Sequence, residues 1–254
     1  MKSLLKVIKI IPLSIIVMLV ACGGAEERKG KYLEKGKVFL EENNLDKARV
    51  EFRNVLQIDP KFAEGYYFIG LLEEKNKELA KAVGNYKKAI ELDNSYIEPK
   101  IKLVSIYTIV GSKEYIDNAK VLLDEILLKD SNNSEAKLLS AVIQYKSGSK
   151  EKAVKLIEKI VESDSSLASG AMLLSSIYSS KGDDDGAIKV LRKSISYNKD
   201  DLRLRLSLAK LLTNTNDLEG AEYQLKEIIK RNPDDFGYRL ALSTFYNAGN
   251  QLEK

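Results

Sequence analysis

An alanine set in a helical apolar pattern returns at Ala48, Ala82, Ala119, Ala153, Ala187 and Ala221, at spacings of 34, 37, 34, 34 and 34 residues. This period constrains the chain more than any other feature. A unit that short cannot bury its apolar face alone and must stack on its neighbours. Around each alanine the apolar residues recur at i, i+3 and i+4 and do not alternate strictly, which excludes strands and predicts helices. Only four prolines fall in 254 residues, so long helices are permitted.

Turn signals divide each period in two. Asn43-Asn44, Gly111-Ser112, Gly148-Ser149, Gly182-Asp183 and Asn216-Asp217 fall inside units. Asp59-Pro60, Asp93-Asn94, Asp130-Ser131, Asp164-Ser165 and Asn232-Pro233 fall between them. Gly and Asn stop helices, and Asp, Ser and Asn cap the next one. The unit is therefore a helical hairpin. Its alanine is expected to face a small residue of the preceding helix: Gly36, Gly70, Ala141, Ser175 or Ala209, with Val104 the bulky exception. Small residues at a crossing let backbones approach and ridges enter grooves. Large residues fill the rest, with Tyr32, Phe39 and Phe52 in the first hairpin and Tyr66, Ile69 and Tyr86 in the second. Later hairpins use Tyr107 and Leu123, Leu138 and Ile157, Tyr178 and Leu191, then Leu208 and Leu225.

Two departures stand out. The third unit is three residues longer, with the excess between Gly111 and Asn118, which predicts a bulged turn or an extra helical turn. The stretch Phe236 to Asn247 reads as a first helix lacking its partner, and Leu240, Leu242, Phe245 and Tyr246 make it apolar. It is expected either to cap the stack with one face open or to continue into a longer protein, and the second is favoured.

In period, hairpin and small-residue crossing the chain resembles the tetratricopeptide repeat family. The resemblance implies an all-α, right-handed solenoid of six full repeats, 29–62, 63–96, 97–133, 134–167, 168–201 and 202–235, with a partial seventh at 236–254. It further implies that the first helix of each repeat lines a concave groove, with the second, fifth, ninth and twelfth places of a repeat facing a ligand. The fifth places hold Leu33, Tyr67, Ile101, Leu138, Met172 and Leu206 and the ninth Lys37, Leu71, Ser105, Val142, Ser176 and Lys210, of which Tyr67, Leu71, Ile101, Leu138, Val142, Met172 and Leu206 are the expected binding residues. The lysine, asparagine and arginine set with which some members clamp a terminal carboxylate is absent there. The groove is expected to be apolar and to take proteins or peptides as a helix or extended segment.

The N-terminus carries a different signal. Lys2, Lys6 and Lys9 precede an apolar run from Ile10 to Ala21, which is shorter than the ~20 residues needed to span a bilayer. Basic head and short apolar body read as a secretory signal, residues 1–21. It ends Leu19-Val20-Ala21-Cys22-Gly23-Gly24, which resembles the lipobox of bacterial lipoproteins. By that resemblance Cys22 is the lipidated first residue of the mature chain, followed by a short tether, 22–28. Several acyl chains make such an anchor durable, each buried methylene being worth about 0.8 kcal/mol. Gly23 in place of aspartate favours the outer membrane, so the expected location is its periplasmic face in a bacterial envelope.

Composition narrows the chemistry. Histidine and tryptophan are absent and Cys22 is the single cysteine, which excludes histidine-based zinc sites, histidine-activated nucleophiles and internal disulfides. The net charge of +4 falls to +1 without the leader, and the remaining charges are mixed, so nucleic acid is not an expected partner. Gly30 to Val38 lacks the spacing and Ser/Thr of a phosphate loop. Asp183-Asp184-Asp185 lacks the alternating ligands and closing glutamate of a calcium loop. Glu41-Glu42 and Glu73-Glu74 have nothing to hold them as a catalytic pair. No enzyme activity, cofactor or metal is expected.

The reading is therefore a membrane-anchored scaffold for protein interactions. The leader, the segment Lys31-Tyr32-Leu33-Glu34-Lys35-Gly36 and the regular repeats are similar to lipoproteins of exopolysaccharide export and protein sorting. Type IV pilus pilot lipoproteins are the near alternative. A glycan- or peptidoglycan-binding module is the alternative of another class, with Tyr67 as an aromatic face and Glu64 and Glu98 beside it.

Overall fold

The structure is a computed structural model that describes the backbone of residues 11–252 and the side chains of residues 24–247. Cys22 and the leader thus lie outside the residues whose side chains are described. Among the described residues every element is a helix: α1 (Ile11–Glu41), α2 (Leu45–Ile58), α3 (Ala63–Lys75), α4 (Leu79–Leu92), α5 (Ile97–Val110), α6 (Lys113–Lys129), α7 (Ser134–Lys146), α8 (Lys150–Ser163), α9 (Ala168–Ser180), α10 (Asp184–Tyr197), α11 (Leu202–Asn214), α12 (Leu218–Arg231) and α13 (Phe236–Leu252). Among the described residues none is long and apolar enough to cross a membrane.

The helices pair as the period predicts, α1 with α2, α3 with α4, α7 with α8, α9 with α10 and α11 with α12. The chain forms two compact units, the first ending at Ile126 and the second beginning at Leu127. In the first unit, Leu33, Leu40, Ala48, Phe52, Val55 and Leu72 make one buried cluster. In the second, an aliphatic core runs from Leu138 and Ala141 through Ile157, Leu174 and Leu191 to Leu208 and Leu212.

The turns inside hairpins share one device. Asn43, Lys77, Gly111, Gly148, Gly182 and Asn216 all adopt positive φ, between 58° and 100°. In five of them the next residue's amide returns to a carbonyl five residues back, as Asn44 to Phe39 at 2.8 Å and Asp183 to Tyr178 at 3.0 Å, which satisfies the helix end. Lys77 does this without glycine or asparagine, which is why no turn signal marks the second hairpin. The third hairpin differs: the Gly111 amide itself bonds the Tyr107 carbonyl at 2.9 Å, and α6 follows almost at once. The three extra residues lengthen α6 to 17, against 14 in α2, α4, α8, α10 and α12. A helix gains a turn; no loop bulges.

All six recurring alanines are fully buried. Gly36 and Gly70, however, meet the side chain one helical turn beyond the alanine, Phe52 and Tyr86. A methyl on Gly36 would stand 2.7 Å from Phe52 Cδ1, and one on Gly70 2.6 Å from Tyr86 Cδ1. Glycine is required in these two hairpins because a ring lies against the backbone. The equivalent pairs elsewhere are Val104 with Leu123, Ala141 with Ile157, Ser175 with Leu191 and Ala209 with Leu225, each pairing a branched aliphatic with a side chain larger than glycine's.

Two segments depart from expectation at the ends. Residues 24–28, expected within a tether, continue α1 as helix. Ala25, Glu26, Glu27 and Arg28 are good helix formers, and ion pairs Lys29–Glu26 and Lys31–Glu27 brace the stretch. Lys29 also bonds Asp59 at 3.0 Å and lies 4.5 Å from the Phe62 ring centroid, which fastens this part of α1 to the first hairpin. At the other end α13 packs Leu242 and Phe245 against Ala209, Leu225 and Ile228, while Phe236 and Leu240 stay exposed.

Candidate functional site

The first helix of each hairpin carries the places expected to face a ligand, and the seven named residues divide between the two units. Tyr67, Leu71 and Ile101 belong to the first, and Leu138, Val142, Met172 and Leu206 to the second. Their surroundings differ. Ile101 and Leu138 are buried, at 7% and 4% exposure, and fill the core. Leu71 is half-buried against the cluster of the first unit, and Val142 is also half-buried. Met172 is half-buried beside the second core, and Leu206 is exposed.

In the first unit this face is closed upon itself by rings and ion pairs. Tyr67 lies 5.3 Å from the Phe68 ring, 6.0 Å from Tyr86 and 5.2 Å from Tyr96. Phe68 in turn stacks on Phe52 at 5.2 Å. Burial, and then the nearness of Tyr67, Glu64 and Glu98, push the Tyr96 hydroxyl well above the usual tyrosine range. Burial and a 2.6 Å bond to Glu74 do the same for Tyr86. Lys37 bridges Glu34 at 3.0 Å and Glu64 at 3.1 Å, with its ammonium 5.0 Å from the Phe68 ring centre. Burial pulls against that ammonium, but the two carboxylates outweigh it and raise its pKa. Deeper, the Arg49 guanidinium holds the buried Glu73 through two bonds. Tyr67 is thus a member of a packed aromatic group, and Glu64, one of the carboxylates expected beside it, is already neutralised.

The second unit offers an open slot on the same face, between α9 and α11. Its volume is about 320 Å³, and its lining is Met172, Ser175, Ser176, Ser179, Ser207, Lys210, Leu211 and Asn214. Where an apolar groove is expected, four hydroxyls, an amide and an ammonium surround two apolar patches. Lys210 and Asn214 stand four residues apart on α11, hence on one side of the helix. Ser207 and Ser179 already donate, to the Arg203 carbonyl and to Asp184. The slot can therefore receive a carboxylate or backbone carbonyl at Lys210 and Asn214, with an apolar side chain against Met172 and Leu211. Ser176 and Lys210 fall on ninth places of their repeats and Ser179 on a twelfth, whereas Ser175, Ser207 and Asn214 escape that register. A signal was nonetheless present, because α9 carries serines at 175, 176, 179 and 180, and serine in a helix interior is unfavourable without a reason.

The acidic turn after α9 has a structural task. The Asp183 carboxylate caps α10 by accepting the Gly186 amide at 2.9 Å, and Asp184 accepts the Ser179 hydroxyl at 2.7 Å. Among the described residues no group of three acidic or cysteine side chains converges as for a metal.

Residues 25–166, more than half of the chain, match the family model described as the cytochrome c-type biogenesis protein H TPR domain. Residues 180–244 match a general tetratricopeptide repeat model. Comparison with curated proteins gives no match. Among solved structures, yeast Tom70 superposes with a TM-score of 0.64 at 18% identity, over 89% of this chain and 47% of that one. A Pseudomonas aeruginosa PilF structure gives 0.55 at 16% identity, over 87% of this chain and 99% of that one. The type IV pilus biogenesis factor PilW gives 0.54 at 13%, over 84% and 98%. At these identities the structural likenesses establish the fold. By the family model matched over residues 25–166, the chain belongs to the tetratricopeptide repeat family.

Proposed function

We propose that this protein is a lipid-anchored scaffold of a bacterial envelope assembly system, tethered through Cys22 and recruiting protein segments on the first-helix face of its second unit. The slot around Lys210 and Asn214 carries the reading. In the second unit the first-helix face opens into a recess holding donors beside apolar patches, the mixture that binds a peptide. A segment that places an acidic side chain or chain-terminal carboxylate at Lys210 and an aliphatic side chain at Met172 fits it.

Among envelope systems, type IV pilus assembly has the support of two fold matches that cover nearly the whole of PilF and PilW. The exopolysaccharide export and sorting assignment rests on the leader, the segment 31–36 and the regularity of the repeats, and the pilus-type reading is preferred. The glycan-binding reading is weaker, because the Tyr67 ring is engaged by three others. Photocrosslinking from position 172 in the full chain, expressed in an envelope-bearing host, tests the proposal. A discrete protein adduct is expected, lost with Lys210→Glu plus Asn214→Ala while thermal unfolding is unchanged. Metabolic acyl labelling is expected to disappear with Cys22→Ser. Adducts indifferent to the double variant, or acylation that survives Cys22→Ser, would overturn the reading.

A further inference from the structure

The second unit carries another recess on its opposite, second-helix side, unrelated to the slot above. It lies between α8 and α10 with α9 beneath, and its volume is about 460 Å³. The floor is apolar, made by Val161, Leu174, Val190 and the ring of Tyr178. The two helical walls carry opposite charges, and Asp183, just before α10, adds a carboxylate at one end. Glu158 and Glu162 stand one helical turn apart on α8, and Lys189 and Lys193 one turn apart on α10. Glu162, Lys189 and Lys193 are exposed, and among the described residues no ion pair joins the two walls across the recess. Glu158 accepts the Tyr178 hydroxyl at 2.9 Å, which, after burial, pushes that hydroxyl up to about 12 and keeps the ring in the floor as a neutral group.

A recess with an apolar floor, one acidic wall and one basic wall needs an occupant with three distinct sides. An extended strand has only two side-chain faces, one down and one up, and turns its backbone to both walls. A helix radiates side chains in all directions and can set apolar residues on the floor with a charge of each sign on either flank. From Gly186 to Ser194 the recess spans nine residues of α10, eight rises or roughly 12 Å, a little over two helical turns. That length suits anchors at i, i+4 and i+7. We infer that this outer recess docks an amphipathic helix of a partner protein whose apolar stripe is flanked by basic residues on one side and acidic residues on the other.

The charges make the inference testable with synthetic helices. Three stapled peptides share one Leu stripe and carry Lys on one flank and Glu on the other, Lys on both, or Glu on both. Binding to the full chain is read by fluorescence anisotropy at low salt. The two-signed peptide is expected to bind at least ~10-fold tighter than either single-signed one, because like charges facing each other are strongly penalised. Lys189→Glu with Lys193→Glu makes both walls acidic, and the preference is expected to pass to the doubly basic peptide. Both lysines are exposed, so the variant keeps its core, which a circular dichroism melt verifies. Lys210→Glu leaves these affinities unchanged if the two recesses are separate. Equal binding of all three peptides, no binding by any, or a ranking unmoved by the double variant overturns the inference.

Discussion

The first two hairpins, in the first unit, and the three full hairpins of the second unit are built alike, yet they solve the crossing in different ways. In the first unit Phe52 and Tyr86 lie against Gly36 and Gly70, their neighbours are rings, and the first-helix face is tied down by Lys37, Glu64, Glu74 and Lys102. In the second unit the equivalent large residues are Ile157, Leu191 and Leu225, the small ones are alanine or serine, and the first-helix face opens into a hydroxyl-lined slot. An aromatic crossing uses a larger, flatter side chain and leaves no space for even a methyl opposite it. An aliphatic crossing shares the volume more evenly between its two helices. The comparison teaches that hairpins of one chain can divide the volume of a crossing between its two helices in different ways.

That difference can be broken at its most sensitive point. Gly70→Ala is expected to cost about 2 kcal/mol in chemical denaturation, because its methyl must displace the Tyr86 ring. In a Tyr86→Leu background the same alanine should cost nothing or stabilise, since alanine is the better helix former by about 1 kcal/mol. A neutral Gly70→Ala in the parent chain would remove the volume-matching account. A smaller effect separates the turns. Lys77 occupies a left-handed position that Gly148 and Gly182 fill without strain, so Lys77→Gly should raise stability by about 1 kcal/mol. A drop in melting temperature would show that the lysine side chain stabilises the turn by more than its backbone strain costs.

The smallest expected effect is electrostatic and contrasts two turns at the same place in the repeat. A bond from Lys29 holds the Asp59 carboxyl below its usual range, and the Ser166 hydroxyl does so for Asp164. A carboxyl with a depressed folded pKa stabilises above its unfolded value near 4, and the benefit is lost as pH falls through the folded value. Unfolding midpoints followed from pH 7 to pH 2 should therefore decline at the acid end, with Asp59 contributing less than about 1 kcal/mol because it is partly exposed. Salt near 1 M should erase most of the cost of Asp59→Asn by screening the ammonium, while Asp164→Asn keeps its cost. Equal salt responses would mean that neither partner is the cause.

Much of the fold was legible because the period repeats a physical necessity. Each buried alanine, each Asp- or Asn-marked turn and the lengthened third unit follow from spacing and capping chemistry, and the structure places them accordingly. The site was less legible. Position in the repeat identifies which helix faces a ligand, but it cannot tell that Ile101 and Leu138 are consumed by the core while Met172 and Leu206 stay accessible. The second hairpin's turn was hidden as well, since lysine carries no intrinsic preference for a left-handed backbone and only the surrounding hydrogen bonds hold it there.

Residue order alone was enough to specify all-helical hairpins, their register, their turns and the absence of any histidine- or disulfide-based chemistry, because these depend on local propensity, period and composition. Tertiary structure decided three further things: that glycine at 36 and 70 answers a ring one turn past the alanine, that Lys29 fastens α1 to Asp59 and Phe62, and that two recesses of different chemistry open on the second unit. Each depends on which side chains meet across elements distant in sequence. A linear pattern records the faces of a helix but not how deeply a neighbour covers them.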